Sequence, residues 1–100
     1  MSYTPIEEIF ASKGRVKILK ILALRGELNI SEIARQAELN HASTLAHLRH
    51  LKKLGLVEEK NFGRIRIFRF REEDPRAKII KRFFEDFERL REVTGKNEPP

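Results

Sequence analysis

Apolar residues recur along this chain at two different periods, and the changes from one to the other mark out its elements. Val16, Ile18, Leu19, Ile21, Leu22 and Leu24 are dense enough to predict a helix that is apolar around much of its girth. Ser12 offers its N-cap, Lys13, Arg15, Lys17 and Lys20 hold its wet side, and Gly26 ends it. This helix reads as the central core element. Ahead of it, Thr4-Pro5-Ile6-Glu7 has the form of a capping box with proline at the first helical position. It predicts a short helix to about Ala11, with Ile6, Ile9 and Phe10 as the apolar residues.

Glu27-Leu28-Asn29-Ile30 alternates polar and apolar, as a short strand does, and leads to Ser31 as the cap of a second amphipathic segment with Ile33, Ala34 and Ala37 on one side. Glu38-Leu39-Asn40 suffices only to turn the chain, with Asn40 placed to cap a further helix. In that helix Leu45, Leu48, Leu51 and Leu54 recur every third residue on an inward stripe, and Gly55 stops it. His41, Ser43, Ala46, Arg49, His50 and Lys53 fall on the remaining surface. Two short helices joined by so tight a turn form a helix-turn-helix, whose second member fits a DNA major groove.

The period then shortens to two. Leu56 to Lys60 and Arg64 to Phe70 predict a hairpin around Asn61-Phe62-Gly63. The second strand keeps strict alternation to Ile67 and loses phase at Phe68, which predicts either a bulge there or partial cover of both faces. Glu73-Asp74-Pro75 opens the last helix, with acidic residues at the positive end of its dipole. Ala77, Ile80, Phe83, Phe84, Phe87 and Leu90 come after it at spacings of three and four, to about Thr94 and a stop at Gly95.

Charge changes the picture by where it lies. The chain of 100 residues carries +6. From His41 to Arg71 there are eight basic residues (Arg49, Lys52, Lys53, Lys60, Arg64, Arg66, Arg69, Arg71) and two acidic (Glu58, Glu59), while the rest holds 13 of each sign. A surplus gathered on one helix and hairpin is what a polyanion-binding face requires. The 36% of charged residues fits a thermophile's surface of ion pairs. Cysteine is absent, so there are no disulfides and no thiolate metal sites. No apolar run approaches the roughly 20 residues of a membrane span, and no secretory leader is visible, which points to the cytoplasm.

From Ser31 to Val57 the chain resembles, without a gap, the helix-turn-helix of ArsR-like and MarR-like winged-helix transcriptional regulators. Ser31, Glu32, Ile33, Ala34, Leu39, His47, Leu48, Leu51 and Gly55-Leu56-Val57 carry the resemblance, and the two strands beyond them strengthen it. The chain departs from that pattern where the family has a small hydroxyl residue at Leu45 and an apolar one at Thr44, which implies a slightly rotated helix. The thiolate motif of many ArsR-like sensors is missing.

The resemblance implies a mainly α winged helix-turn-helix with a small β-hairpin (α+β), acting as a DNA-binding regulator, most simply a repressor. Residues 1–74 would form the DNA-binding domain, 75–95 a dimerisation helix and 96–100 a flexible tail. Candidate DNA contacts are His41, Ser43, Thr44, Ala46, His47, Arg49 and Lys53 on the helix, with Lys60, Arg64 and Arg66 on the wing. His47 reads equally as a base contact or as a half-buried packing residue. Ile80, Phe83, Phe84, Phe87 and Leu90 exceed what so small a body can cover, so with Ile6, Ile9 and Phe10 they predict a homodimer on a palindromic DNA site. No metal, cofactor, small-molecule effector or catalytic set is evident. The rival readings are a winged-helix protein-interaction module and an architectural DNA binder without sequence preference.

Overall fold

The computed structural model describes residues 5–94. Their elements run α1 (Ile6–Ile9), α2 (Lys13–Arg25), β1 (Glu27–Asn29), α3 (Ile30–Ala37), α4 (His41–Lys53), β2 (Val57–Phe62), β3 (Ile65–Phe70) and α5 (Pro75–Thr94). The proposed capping residue Thr4 and the stop at Gly95 lie outside the described residues. Among the described residues, no helix is long and apolar enough to cross a membrane.

Short polar side chains start the helices. Ser12 accepts from the Arg15 amide at 3.2 Å and Asn40 from the Ser43 amide at 2.7 Å. Asp74 accepts from the Arg76 amide at 2.8 Å. Ser31 does not cap α3. Asn29 does, accepting from the Glu32 amide at 2.9 Å, so that Ile30 enters the helix and turns into the core. α1 ends at Ile9, short of Ala11. Gly55, at φ 83°, closes α4: its amide bonds to Lys52 O and the Leu56 amide to Leu51 O, both at 3.0 Å, while Leu51 and Leu56 pack together inside. Two arginines from beyond the sheet hold this turn, Arg71 donating to Gly55 O at 3.0 Å and Arg76 to Leu54 O at 2.9 Å.

α2 is the central element, touching α3, α4, α5 and two strands. Ile18, Leu19 and Leu22 are fully buried against Ile33, Leu48, Leu51, Leu56, Phe68 and Phe70. Arg15 is not on its wet side: only 9% of the residue is exposed. β3 runs between β1 and β2, antiparallel to both. Its register is unbroken from Phe62↔Ile65 to Val57↔Phe70, so there is no bulge at Phe68. Phe68 and Phe70 face the core, while Ile67 is half-covered on the other face and Ile65 is exposed there. Bulges favour sheet edges, and β3 is the central strand, bonded along both sides.

α5 belongs to the same core. Ala77, Ile80 and Phe84 are buried in it, as is Ile9, and Phe10 stacks on Phe84 at 6.3 Å between ring centres. Ile9, Ile80 and Phe84 are therefore committed within the chain and are not available to a dimer seam.

Candidate nucleic-acid interface

The turn at Glu38, held in the left-handed region at φ 59°, sets α4 across α3 with one side outward. Ala42, Ala46, Arg49 and Lys53 are all exposed and, at intervals of four, three and four, lie on one line. Ser43 and His50 flank one side of it, His41 and Lys52 the other. Two alanines let a partner's surface come close before Arg49 and Lys53 are met. The first turn of α4 holds no acidic residue to oppose an anion at its positive end. Ala42 is the member of this line that the sequence reading missed, although its helical spacing from Ala46 carries the signal.

Thr44 and His47 leave the outward face. Thr44 is completely buried beside Leu48 and Leu51, its hydroxyl donating to Asn40 O at 2.9 Å. It thus fills the apolar position of the pattern with its polar atom satisfied locally, while Leu45 is half-covered against the core. His47 is half-buried against the start of α2, where a Cβ on Gly14 would stand 3.1 Å from its Nε2. Burial, then the charge of Arg15, lowers its proton affinity, so it favours the neutral ring.

The wing turns on Gly63 and Arg64 alone, with Asn61 and Phe62 still in the strand. Gly63 has φ 60° and Arg64 does not share the positive value, as in a II′ turn. Arg64 is exposed at the tip with no charged partner among the described residues. Lys60 and Arg66 are engaged: Lys60 lies 3.4 Å from Glu27, and Arg66 2.9 Å from Glu59. Glu59, with 8% of its side chain exposed, also takes Lys52 at 3.2 Å. Burial pushes its carboxyl upward, but the bonds from Arg66 and Lys52 outweigh this and hold it below the usual range. Arg69 bonds Glu58 at 2.8 Å and Glu73 at 3.0 Å, and Arg71 bonds Glu73 at 3.3 Å. Five of the eight basic residues in the positive window are thus paired, two of their acidic partners, Glu27 and Glu73, coming from outside it. Among the described residues, Arg49, Lys53 and Arg64 of that window have no carboxylate partner.

A second surface lies along α5. Ile79, Phe83, Phe87 and Leu90 are exposed on one side of it, and Ile6 of α1 is exposed as well. Phe83 packs edge-on against buried Phe84 at 5.5 Å and leans toward Phe87 at 5.9 Å. Ile79 was not foreseen on this face. Among the described residues, no group of three or more His, Asp or Glu side chains is placed to hold a metal ion.

Residues 12–59, from the cap of α2 into β2, match the family model described as bacterial regulatory protein, arsR family. The chain is also similar to the cadmium resistance transcriptional regulatory protein CadC homolog of Staphylococcus aureus, 29% identical over 83 residues that span 83% of this chain and 69% of the relative. It is a winged helix-turn-helix transcriptional regulator, similar to the arsR family. Solved structures agree with the regulator's architecture. A homodimeric winged helix-turn-helix DNA-binding domain from Mycobacterium bovis, described as a possible ArsR-family transcriptional regulator, superposes with a TM-score of 0.64 at 26% identity, covering 95% of this chain and 82% of that one. The transcriptional repressor BigR from Xylella fastidiosa gives a TM-score of 0.69 at 16% identity, covering 82% and 80%. In the ArsR-like regulator, α4 is the second helix of the helix-turn-helix and the β2–β3 hairpin is the wing.

Proposed function

We propose that the regulator binds DNA as a homodimer and represses transcription by occluding a promoter. The line Ala42–Ala46–Arg49–Lys53 would lie in the major groove, with Ser43 and His41 at its rim. Arg64 would reach backbone phosphates or the adjacent minor groove. One observation carries this reading: within the positive window from His41 to Arg71, the three cations without a carboxylate among the described residues, Arg49, Lys53 and Arg64, lie on the outward side of α4 and at the wing tip, while the other five are held by carboxylates. Phosphates supply affinity through release of counterions, and base edges supply specificity through Arg49 and Ser43.

The dimer would form through Ile79, Phe83, Phe87 and Leu90 of α5 with Ile6 of α1. Two-fold symmetry then sets the two α4 helices about one DNA turn apart, roughly 34 Å, on an inverted repeat. The chain's similarity to a homodimeric winged helix-turn-helix DNA-binding domain and to the CadC homolog, a transcriptional regulatory protein, supports the proposal. Selection of bound duplexes from a random pool tests it. Two inverted half-sites, preferred by at least ~10³ over random DNA, are the expected result. Equal affinity for all duplexes would favour the architectural reading, and no binding at low salt would favour a protein-interaction module.

A further inference from the structure

Arg15 is a buried cation that the fold spends on a connection rather than on solvent. From the first turn of α2, its Nη1 donates to the carbonyl of Glu8 in α1 at 2.6 Å. Its Nη2 lies 3.0 Å from Nδ1 of His50, in the last turn of α4. A guanidinium carries N–H donors only and stays charged, so Nδ1 of His50 must accept. The ring is then neutral with its proton on Nε2, which lies 3.8 Å from Oε1 of Glu8. Buried Nε of Arg15 has no partner among the described residues, so Nη1 and Nη2 make all of the contacts that hold this group.

We propose that Arg15 is a positioning residue for DNA reading, tying α1 to α4 through His50, and that the tie holds only while His50 is uncharged. The proposal rests on α4 being the helix that meets DNA. His50 adjoins Arg49 directly and stands within one turn of Ala46 and Lys53, so whatever fixes its ring fixes the outward line. The bond to Glu8 O also satisfies a carbonyl in the last turn of α1 that the short helix leaves open. Protonation would turn Nδ1 into a donor and set two cations face to face. Three groups face the ring: Arg15 from α2, Glu8 from α1, and His47 from one turn earlier in α4. Glu8 Oε1 stands 3.8 Å from Nε2, while Arg15, at 3.0 Å from Nδ1, would lose its acceptor on protonation. Acid therefore weakens DNA binding through this tie. A histidine that touched phosphate would act in the opposite sense, which makes the sign informative.

The test uses the full chain and a fluorescent duplex taken from the random-pool selection, at fixed salt and at pH 8 and pH 6. Wild type is expected to lose roughly 3- to 10-fold more affinity between the two than His50→Gln, whose amide oxygen still accepts from Arg15 but cannot titrate. Arg15→Lys, checked for folding by circular dichroism, should bind more weakly at pH 8 and show the flat profile of His50→Gln. Nitrogen shifts of the His50 ring in the free protein should place the proton on Nε2. A wild type that binds but keeps the same pH profile as His50→Gln overturns the proposal alone, as does a proton found on Nδ1. A wild type that binds no duplex at pH 8 overturns the reading of α4, and this proposal with it.

Discussion

Phe87→Ala tests the dimer seam where the fold itself has least at stake. Phe87 is 58% exposed in the single chain, and a phenylalanine side chain offers ~200 Å². Roughly 110 Å² therefore awaits cover on each protomer, which at ~25 cal/mol per Å² is nearly 3 kcal/mol. A two-fold seam contains the residue twice, which sets a ceiling of roughly 5–6 kcal/mol per dimer. Alanine keeps its Cβ and no seam covers a ring completely, so about half of this is the realistic loss. That is ~2–3 kcal/mol, or a 30- to 200-fold rise in the dimer dissociation constant. Sedimentation equilibrium over a concentration series measures it, with circular dichroism showing an unchanged monomer fold. Affinity for the inverted repeat should fall in step, while binding to a single half-site stays put. A wild type that remains monomeric at hundreds of micromolar would refute the reasoning, and so would a variant with the parental dissociation constant.

Phe84→Ala, one residue from Phe83 but inside the core, should instead cost roughly 3–5 kcal/mol of folding stability, read from urea midpoints. Thr44→Val keeps the buried shape and loses a bond to a carbonyl that still accepts the residue-44 amide, so stability should move by less than ~1 kcal/mol and DNA affinity by less than about twofold. A tenfold loss of binding at constant stability would put Thr44 back in the groove. Arg64→Ala should weaken binding to all sequences alike and reduce the slope of log affinity against log salt by roughly 0.9 per protomer. Asp74 is held at about 2, first by the Arg76 side chain, despite its burial. A depressed carboxyl stabilises the fold above its unfolded value near 4 and loses that contribution as pH falls through about 2. Asp74→Asn should therefore lower the melting temperature at pH 7, and the gap from wild type should close towards pH 2.

The caps and glycines made most of this fold readable in advance. Ser12, Asn40, Asp74, Gly26 and Gly55 act locally, and a local rule can be read from a few neighbouring letters. Asn29 and Ser31 are equally good caps, and the choice fell to Asn29 because it lets Ile30 join the buried side. Thr44 was misplaced because periodicity counts apolar residues, and a hydroxyl satisfied by the carbonyl four residues back is invisible to it. Arg15 failed for a different reason: its partners, Glu8 O and His50, are far apart in sequence, and burial of a cation is decided by such partners. The charge surplus was correctly located, but its availability was not. Glu27 and Glu73 lie outside the positive window and reach into it only once the sheet has formed. On α5, Phe83 and Phe87 were placed on the outer face, while Ile80 and Phe84 could be assigned inward only with α2 in place.

The arginine grip on Gly55 O and Leu54 O makes one lever of two elements that separate jobs would have kept apart. Arg71 and Arg76 sit at the root of α5, so the far end of α4 travels with that root. Over a helix ~30 Å long, a 10° change in how two such helices cross swings the roots by ~5 Å, about one and a half base-pair steps. In the proposed dimer the angle at the seam would thus be a ruler for the operator: substitutions far from any nucleotide would reset the half-site spacing that the protein tolerates.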